Sequence, residues 1–226
     1  MTNNQAPISK RTNPLQAEGR QYAGVSLKAR TKQRKEQFLQ AGLNLFGTTG
    51  FRKCTVRSLC KEANLTDRYF YQSFGSLEAL LTAVYERCMT DLGTNLVKVI
   101  SEEYTNSGAE KAIIAGLEEY FIFLEDSRFA RVCMVELEGI SPEVNALYYK
   151  YIDGFARLLK NFANHAYPHW KANDEEQHIF AISLIGAMRQ VATNWLENDY
   201  STDRNVLVLT TGQLFISMMR EIQSEK

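Results

Sequence analysis

The sequence predicts an all-α protein in which a small three-helix domain precedes a larger helical domain. Apolar residues recur at helical spacing through most of the chain, and no segment shows the alternation of polar and apolar residues that is typical of a strand. Glycine, proline and capping residues separate the periodic segments. A chain of 226 residues, of which 45% are apolar, is long enough to bury such a core. We therefore divide it into residues 1–29, 30–76 and 77–226.

Residues 1–29 are expected to form a flexible, basic arm. They contain prolines, glycines and many polar residues without a sustained period. Its basic residues could follow phosphates or enter a minor groove of DNA; they are Lys10, Arg11, Arg20 and Lys28. An unstructured leader without defined contacts is the alternative, and the composition favours it.

The first helix is predicted over residues 30–49. Its apolar stripe consists of Phe38, Gly42, Leu45 and Phe46. The opening turns are densely cationic, which opposes the helix dipole unless an anion lies nearby. Lys32 and Arg34 are therefore candidate contacts to DNA phosphates. Gly50 is expected to end the helix.

Residues 55–74 are predicted to form two short helices joined by a tight turn. The apolar stripe of the first is Val56, Leu59, Cys60 and Ala63, at positions i, i+3, i+4 and i+7. Thr55 is a good N-cap because its hydroxyl can accept from a free backbone N–H, and Asn64 tolerates the left-handed conformation of a sharp turn. Thr66 is expected to cap the second helix, which hides Phe70 and Phe74. This is the helix-turn-helix pattern, whose second helix lies in the major groove of DNA.

The outward positions of that second helix form a candidate DNA-reading surface. Arg68 suits guanine or phosphate, Gln72 suits adenine or phosphate, and Tyr69 can contact a thymine methyl group. Tyr71 and Ser73 can donate hydrogen bonds to phosphate oxygens, which fixes the register of the protein on DNA. The alternative is that Tyr69 and Tyr71 pack inside the small core.

Charge is unevenly distributed along a chain whose net charge is zero. Residues 1–74 hold 13 Lys and Arg against 4 Asp and Glu, whereas residues 75–226 hold 13 against 22. Such a split is typical of a polyanion-binding end joined to an acidic remainder. A basic tail without a partner is the alternative. The helix-turn-helix pattern favours DNA, because phosphate neutralisation supplies most non-specific DNA affinity.

Residues 77–226 are predicted to form a series of further helices. Gly75 and Ser76 precede the first, Pro142 begins the fourth by the preference of proline for the first turn, and Pro168 ends it. The predicted ranges are 77–100, 109–125, 127–139, 142–166, 174–197 and 203–222.

The segment LQAGLNLFGTTGFRKCTVRSLCKEANLTDRYFYQSFGSLEALLTAV resembles the N-terminal domain of the TetR family of bacterial transcriptional regulators, over about residues 38–84. The motifs AGLNLF, TVRSLCKEANLT and YFYQSF carry the resemblance. It implies contacts to the DNA backbone by Thr55, Thr66, Tyr71 and Ser73. Leu77 stands where the family commonly has lysine, so we expect it to pack toward the core instead of contacting a phosphate.

Aromatic and methionine side chains of the second domain could line a cavity for an apolar small molecule. Aromatic residues at helical spacing usually form plain core, so the residues alone favour that alternative. The resemblance favours a cavity, because members of the family usually bind an inducer in this domain. The candidate lining residues are Phe121, Met134, Tyr148, Tyr151, Phe155 and Met188.

No metal, cofactor or catalytic site is expected. His165 and His169 have i, i+4 spacing, but Pro168 between them should break the helix, so a surface pair is favoured over a metal site. The sequence has no G-x-S-x-G, Gly-rich phosphate loop or H-E-x-x-H motif. The four cysteines form no C-x-x-C pair and are interpreted as core residues, with redox sensing as the alternative; they are Cys54, Cys60, Cys88 and Cys133.

No apolar stretch approaches the ~18 residues of a membrane span, and the N-terminus lacks the apolar region of a secretory signal. We therefore expect a cytoplasmic protein without a membrane partner.

These features together predict a ligand-responsive transcriptional regulator, expected to be a repressor, that binds a pseudo-palindromic operator in double-stranded DNA as a homodimer. Residues 174–197 and 203–222 are expected to pair with their symmetry mates, and a small, apolar effector would release the DNA. Activation by the same architecture is one alternative. The others are a ligand-independent DNA-binding protein, and a helical interaction protein or enzyme whose basic N-terminus binds another polyanion.

Overall fold

The computed structural model describes residues 26–137 and 139–224, and over these two ranges it confirms the all-α class. The helices are α1 (Leu27–Thr48), α2 (Val56–Ala63), α3 (Asp67–Ser73), α4 (Leu77–Ser107), α5 (Ala109–Leu124), α6 (Ser127–Met134), α7 (Pro142–Ala166), α8 (Asp174–Glu197) and α9 (Arg204–Ser224). A 3-10 turn at Phe51–Lys53 follows α1. None of the helices in the described ranges is long and apolar enough to span a membrane.

Helix α1 begins earlier than predicted, at Leu27. The hydroxyl of Ser26 accepts a hydrogen bond from the backbone N–H of Ala29 at 3.2 Å and so caps the first turn. The end of the expected arm, residues 27–29, is therefore helical. Its remaining part, residues 1–25, lies outside the described residues.

Helices α1 to α3 pack around a small aromatic core. The fully enclosed side chains are Phe38, Phe46, Leu59 and Phe70. The ring of Phe38 meets the ring of Phe70 in a T-shaped contact with 5.5 Å between centroids. Phe74, predicted to be hidden, is only half-buried. The inward-pointing side chains of α3 thus belong to the core, and the opposite face of the helix is exposed to solvent.

Helix α4 connects this domain to the rest of the chain. Its 31 residues extend past the predicted end at residue 100 and span roughly 46 Å. The first half packs closely on α1, because a Cβ at Gly42 would lie only 2.9 Å from Cγ2 of Val84. Leu77 packs partly buried against the core, as expected. The same helix thereby contacts both the helix-turn-helix and the second domain.

The second domain is a bundle in which α5 packs against α4 and α9, and α7 packs against α8. Near its centre the rings of Phe121 and Trp195 lie 5.8 Å apart, and Trp195 Nε1 donates to the carbonyl of Thr202 at 2.8 Å. Helix α6 is short and ends at Met134 instead of residue 139. The chain turns there, and the carboxylate of Glu136 reaches the connection after α1.

Candidate nucleic-acid interface and effector cavity

The turn between α2 and α3 is held by backbone geometry. Asn64 adopts the predicted left-handed conformation, with φ 52° and ψ 43°, and the N–H of Leu65 donates to the carbonyl of Cys60 at 3.0 Å. At the start of α2, the N–H of Ser58 donates to Thr55 Oγ1 at 3.1 Å, and the N–H of Thr55 donates to Ser58 Oγ at 3.0 Å. The predicted capping role of Thr55 is confirmed. These contacts set the angle at which α3 is presented.

Thr66 stands at the N-cap position of α3, but its side chain makes no capping hydrogen bond, contrary to prediction. Asp67 Oδ1 instead accepts from its neighbour, the N–H of Arg68, at 2.8 Å. Thr66 is exposed. Its hydroxyl is therefore available for a contact with a phosphate, which stays a prediction.

Helix α3 presents Arg68, Tyr71 and Gln72 to solvent, and we call these three residues the outer face of α3. Tyr71 is 58% exposed, which argues against its packing in the core. The hydroxyl, amide and guanidinium groups on this face are the donors and acceptors that base edges and phosphates require.

Tyr69 and Ser73 lie beside the outer face. They were predicted to point largely outward, but both are half-buried. The guanidinium carbon of Arg34 lies 4.2 Å from the ring centroid of Tyr69, a cation–π contact. The packing alternative therefore holds in part for Tyr69. Ser73 Oγ donates to the carbonyl of Tyr69 at 2.8 Å, so a hydrogen bond from Ser73 to a phosphate would require its hydroxyl to turn outward.

The surface around α3 is cationic. Residues 26–76 hold ten Lys and Arg and three Asp and Glu. Each of these acids has a partner: Glu36 pairs with an arginine of α4, Glu62 accepts from an asparagine of α1, and Asp67 caps α3. Lys32, near the start of α1, is exposed. Such a surface attracts a polyanion, and no acidic patch among these residues opposes the attraction.

A cavity of about 470 Å³, the effector cavity, lies between α4, α5, α7 and α8 and is closed on one side by α9. Its walls are mainly apolar and include Leu117, Ile185 and Phe215. The polar side chains that reach it come from α4, α5 and α7: Ser101, Tyr104, Thr105, Tyr120, Asn161 and His165. This combination suits an apolar small molecule with one polar end.

Two of the six predicted lining residues, Phe155 and Met188, border this cavity. The other four do not: Phe121, Met134, Tyr148 and Tyr151. Phe121, for example, packs against Trp195 in the core. Helical periodicity identifies positions that are buried, but it does not tell which of them border empty space.

Sequence reasoning missed the polar end of the cavity. The ring of His165 lies 5.3 Å from the ring of Tyr104, and Asn161 is one turn earlier on α7. Polar side chains that interrupt the apolar stripes of α4 and α7 are the feature of the sequence that could have indicated this polar end. His165 and His169 are both exposed, as the surface-pair interpretation expects. In the described ranges no group of three or more His, Cys, Asp or Glu residues could hold a metal ion.

The cysteines are free thiols, of which Cys54, Cys88 and Cys133 are buried and Cys60 is half-buried. Burial, together with the hydrogen bond that the Cys133 thiol makes to Cys88, raises the pKa of the Cys133 thiol well above its ordinary value. Burial also raises the pKa of the Cys54 thiol. Thiols of this kind are poor nucleophiles, which agrees with a core role.

Helix α6 joins the second domain to α1. The Glu136 carboxylate accepts from the backbone N–H of Phe51 at 2.7 Å and from Nε of Arg131 at 2.6 Å. A Cβ at Gly47 would lie 2.4 Å from the Cα of Arg128, so the backbones of α1 and α6 nearly touch. A movement of α6 would therefore be felt by α1 directly.

Residues 38–84 match the sequence model of a family described as bacterial regulatory proteins, tetR family. A comparison with curated proteins gives no match.

Among solved structures, the fold resembles that of the fatty acid degradation regulator FadR from Bacillus halodurans, with 21% identity, a TM-score of 0.68 and coverage of 80% of this chain and 93% of that chain. It also resembles the transcriptional regulator FadR from Bacillus subtilis in complex with stearoyl-CoA, with 18% identity, a TM-score of 0.68 and coverage of 80% and 97%. A transcriptional regulator (TerR/AcrR family) from Aquifex aeolicus VF5 has 20% identity, a TM-score of 0.62 and coverage of 82% and 99%.

At these identities the likeness to solved structures concerns the fold, while the sequence match covers the helix-turn-helix itself. Residues 38–84 therefore match the tetR family model, and the fold of the chain resembles those of solved transcriptional regulators.

Proposed function

We propose that the protein is a ligand-responsive repressor that binds a pseudo-palindromic operator as a homodimer and is released by a small, apolar effector. The observation that carries the proposal is the outer face of α3, which is exposed and surrounded by cations. It belongs to a small domain that contacts, through α6, a bundle containing an apolar cavity. The predicted contacts of Lys32, Arg34, Thr55, Thr66 and the residues of α3 with DNA form part of this proposal.

Pairing would use α8 and α9. Large apolar side chains are exposed on these two helices: Ile179, Val206, Leu209, Leu214 and Met218. Beyond the backbone of α8 itself, no heavy atom lies within 4 Å of the position that a Cβ would take at Gly186, so a partner helix can approach closely there. Burial of this face in an interface between identical surfaces is favourable. A two-fold dimer of this kind would present its α3 helices about 34 Å apart, one turn of DNA.

An acyl chain is the effector class that the cavity and the resembling structures favour. The cavity offers apolar walls with polar groups on α4 and α7, as an amphiphile requires. Of the two resembling FadR structures, one is described as a fatty acid degradation regulator and the other is in complex with stearoyl-CoA. These descriptions concern those proteins, and they support the same class for this one.

Release of DNA would follow from contacts between the two domains. Met188 borders the cavity, and the next residue, Arg189, donates to the carbonyl of Met134 at the end of α6. An effector that displaces α8 would shift α6 against α1 and change the separation of the two α3 helices. The coupling is reciprocal, so the effector must bind less tightly to the DNA-bound state.

A salt-titrated mobility-shift measurement on the intergenic DNA beside the gene of this protein tests the proposal. We expect a complex that survives excess random competitor, weakens steeply with salt, and dissociates when palmitate or palmitoyl-CoA is added. Binding without sequence preference would favour the alternative in which the basic N-terminus holds another polyanion. Specific binding that no acyl compound alters would favour a ligand-independent protein.

The sign of control is tested by deletion of the gene. Transcription from the bound promoter should rise, because a repressor has been removed. A fall in transcription would make the protein an activator.

A further inference from the structure

We infer that the effector cavity continues into an apolar groove between α4 and α7, and that the two compartments together hold one long alkyl chain. The groove has a volume of about 510 Å³ and is lined by Met89, Gly93, Val97, Tyr151, Gly154 and Phe155, among others. The inference rests on the proposed apolar effector and goes beyond it, because it assigns a second compartment and a chain length.

The residues that the two compartments share argue that the compartments are continuous. Val97, Phe155 and Leu158 border both the groove and the cavity. Val97 is 48% exposed and Leu158 is 42% exposed, which leaves an uncovered apolar rim where the two compartments meet. An alkyl chain that leaves the cavity at this rim would enter the groove without crossing a polar barrier.

Glycine at position 93 keeps the groove open. Gly93 lies inside α4, and its φ is not among the positive values found at other glycines. Helix geometry therefore does not require glycine here, and glycine weakens a helix relative to alanine. A Cβ at this position would meet only the ring of Phe155, at an ordinary contact distance of 3.7 Å. The absence of a side chain instead leaves room beside that ring.

Most of the polar side chains that line the cavity lie at one end of it. Helices α4 and α7 run in the same direction, since Tyr85 meets Tyr151 near one end of their contact and Tyr104 meets Phe162 near the other. Apart from Tyr120 of α5, the polar side chains of the cavity, from Ser101 on α4 and Asn161 on α7 onward, belong to the second end. The groove is also lined by Thr90 and Thr94, whose hydroxyls donate to backbone carbonyls of α4 itself. From Met89 to Thr105 the path measures roughly 24 Å along α4.

The occupant that fits this arrangement is an amphiphile with its head near Tyr104 and His165 and its tail toward Met89 and Tyr151. Within the described residues, no lysine or arginine lines either compartment. The head would therefore be held by groups such as Tyr104 and His165, without a lysine or arginine as counter-ion. Groove and cavity use other surfaces than the exposed apolar side chains of α8 and α9.

The test measures affinity against chain length in the full chain by titration calorimetry with octanoate, laurate, palmitate and stearate below their micelle concentrations. In the wild-type protein each added methylene should strengthen binding by up to about fourfold, and the gain should continue to palmitate. Gly93→Leu fills the groove. It should leave the affinity for octanoate unchanged and weaken palmitate by about tenfold or more, because several methylenes lose their place.

Asn95→Leu is the matched control, because Asn95 is exposed on the same helix and lines neither compartment, so the variant should keep the wild-type dependence on chain length. Circular dichroism melting establishes that both variants fold. Palmitoyl-CoA distinguishes a thioester from a free acid as the source of the chain, and Gly93→Leu should weaken it as it weakens palmitate.

Two results would contradict the groove without contradicting the apolar effector. One is an affinity of the wild-type protein that stops rising at laurate, and the other is an equal loss of affinity for all chain lengths in Gly93→Leu. Failure of all the acids and of palmitoyl-CoA to bind would instead overturn the proposed effector class, and the groove with it.

Discussion

Nη2 of Arg189 donates a 3.0 Å hydrogen bond to the backbone carbonyl of Met134, at the end of α6. The same guanidinium group stacks over Tyr148, with its carbon 4.9 Å from the ring centroid. Arg189 follows Met188, which borders the effector cavity. A single side chain of α8 therefore connects the wall of the cavity to the helix that packs on α1.

Arg189→Ala should weaken the response of DNA binding to the effector. The variant removes a hydrogen bond between α8 and α6 but no residue that lines the cavity, so its affinity for the effector should stay near that of the wild type. The ratio of operator Kd values with and without saturating effector should fall by several-fold, within the usual coupling range of about 1–3 kcal/mol. Fluorescence anisotropy with labelled operator measures both Kd values.

Arg189→Lys is the matched control, because it keeps the charge and can still donate to the carbonyl, although it cannot stack as a planar group. It should retain part of the coupling. An unchanged ratio in Arg189→Ala would remove this contact from the route between the sites.

Substitutions on the outer face of α3 should separate base reading from phosphate contact. Arg68→Ala should relax the preference at particular base pairs, at a cost of about 1–3 kcal/mol on the preferred operator. Tyr71→Phe loses only a hydroxyl and should weaken all sequences alike. A panel of operators with single base-pair changes measures both effects. An unchanged preference in Arg68→Ala would show that Arg68 does not read bases.

Leu209→Asp should disrupt the homodimer. Leu209 is 58% exposed on α9, so it does not support the fold of the single chain, and a carboxylate would be buried against the partner. The dimer Kd should rise about 100-fold or more. Tyr149→Asp, at an exposed apolar residue of α7, is the control and should leave the Kd unchanged. Sedimentation equilibrium measures the assembly, and a dimer that survives Leu209→Asp would contradict the proposed interface.

Acid should loosen the start of α6 through Asp126. Nε and Nη2 of Arg128 donate to the Asp126 carboxylate at 3.0 and 2.7 Å, and these hydrogen bonds hold the pKa of Asp126 below its ordinary value. In the unfolded chain the Asp126 carboxylate has its ordinary, higher pKa, so it binds a proton more tightly there than in the folded protein. The stabilisation is therefore full above the ordinary aspartate pKa of about 3.9 and is lost as the pH falls toward the folded pKa.

Both side chains of this pair are 40% exposed, so solvent screening should limit the effect to less than about 1 kcal/mol. Urea denaturation between pH 7 and pH 3 should show a smaller loss of unfolding free energy for Asp126→Asn than for the wild type. Parallel pH profiles for the two proteins would exclude this contribution.

Local features of the chain were predictable where neighbouring residues decide them. Thr55 caps α2 and Asn64 turns left-handed, because both outcomes depend on residues within one helical turn. The start of α1 was predicted too late, since Ser26 caps a first turn that carries no apolar stripe of its own. Thr66 is the N-cap residue of α3, as predicted, but its side chain makes no capping hydrogen bond, and the adjacent Asp67 accepts an N–H of the same turn. The capping preference of a single residue type does not tell which of two adjacent acceptors, here Thr66 and Asp67, will bind the free N–H groups.

The sequence predicts some features of the DNA-binding surface but not others. The outer face of α3 follows from the helical period, because Phe70 must point inward and Arg68 and Gln72 then point outward. The half-burial of Tyr69 does not follow, since it depends on Arg34 of another helix lying over its ring.

The helical class, the helix-turn-helix and its cationic surroundings follow from the order of residues, because periodicity, caps and charge are local properties of the chain. The packing of the helices, in contrast, decided that Phe155 borders a cavity while Phe121 packs in the core. It also decided that Arg189 meets the carbonyl of Met134 across a separation of 55 residues. Both outcomes depend on how helices distant in sequence pack together, and no single helix carries that information.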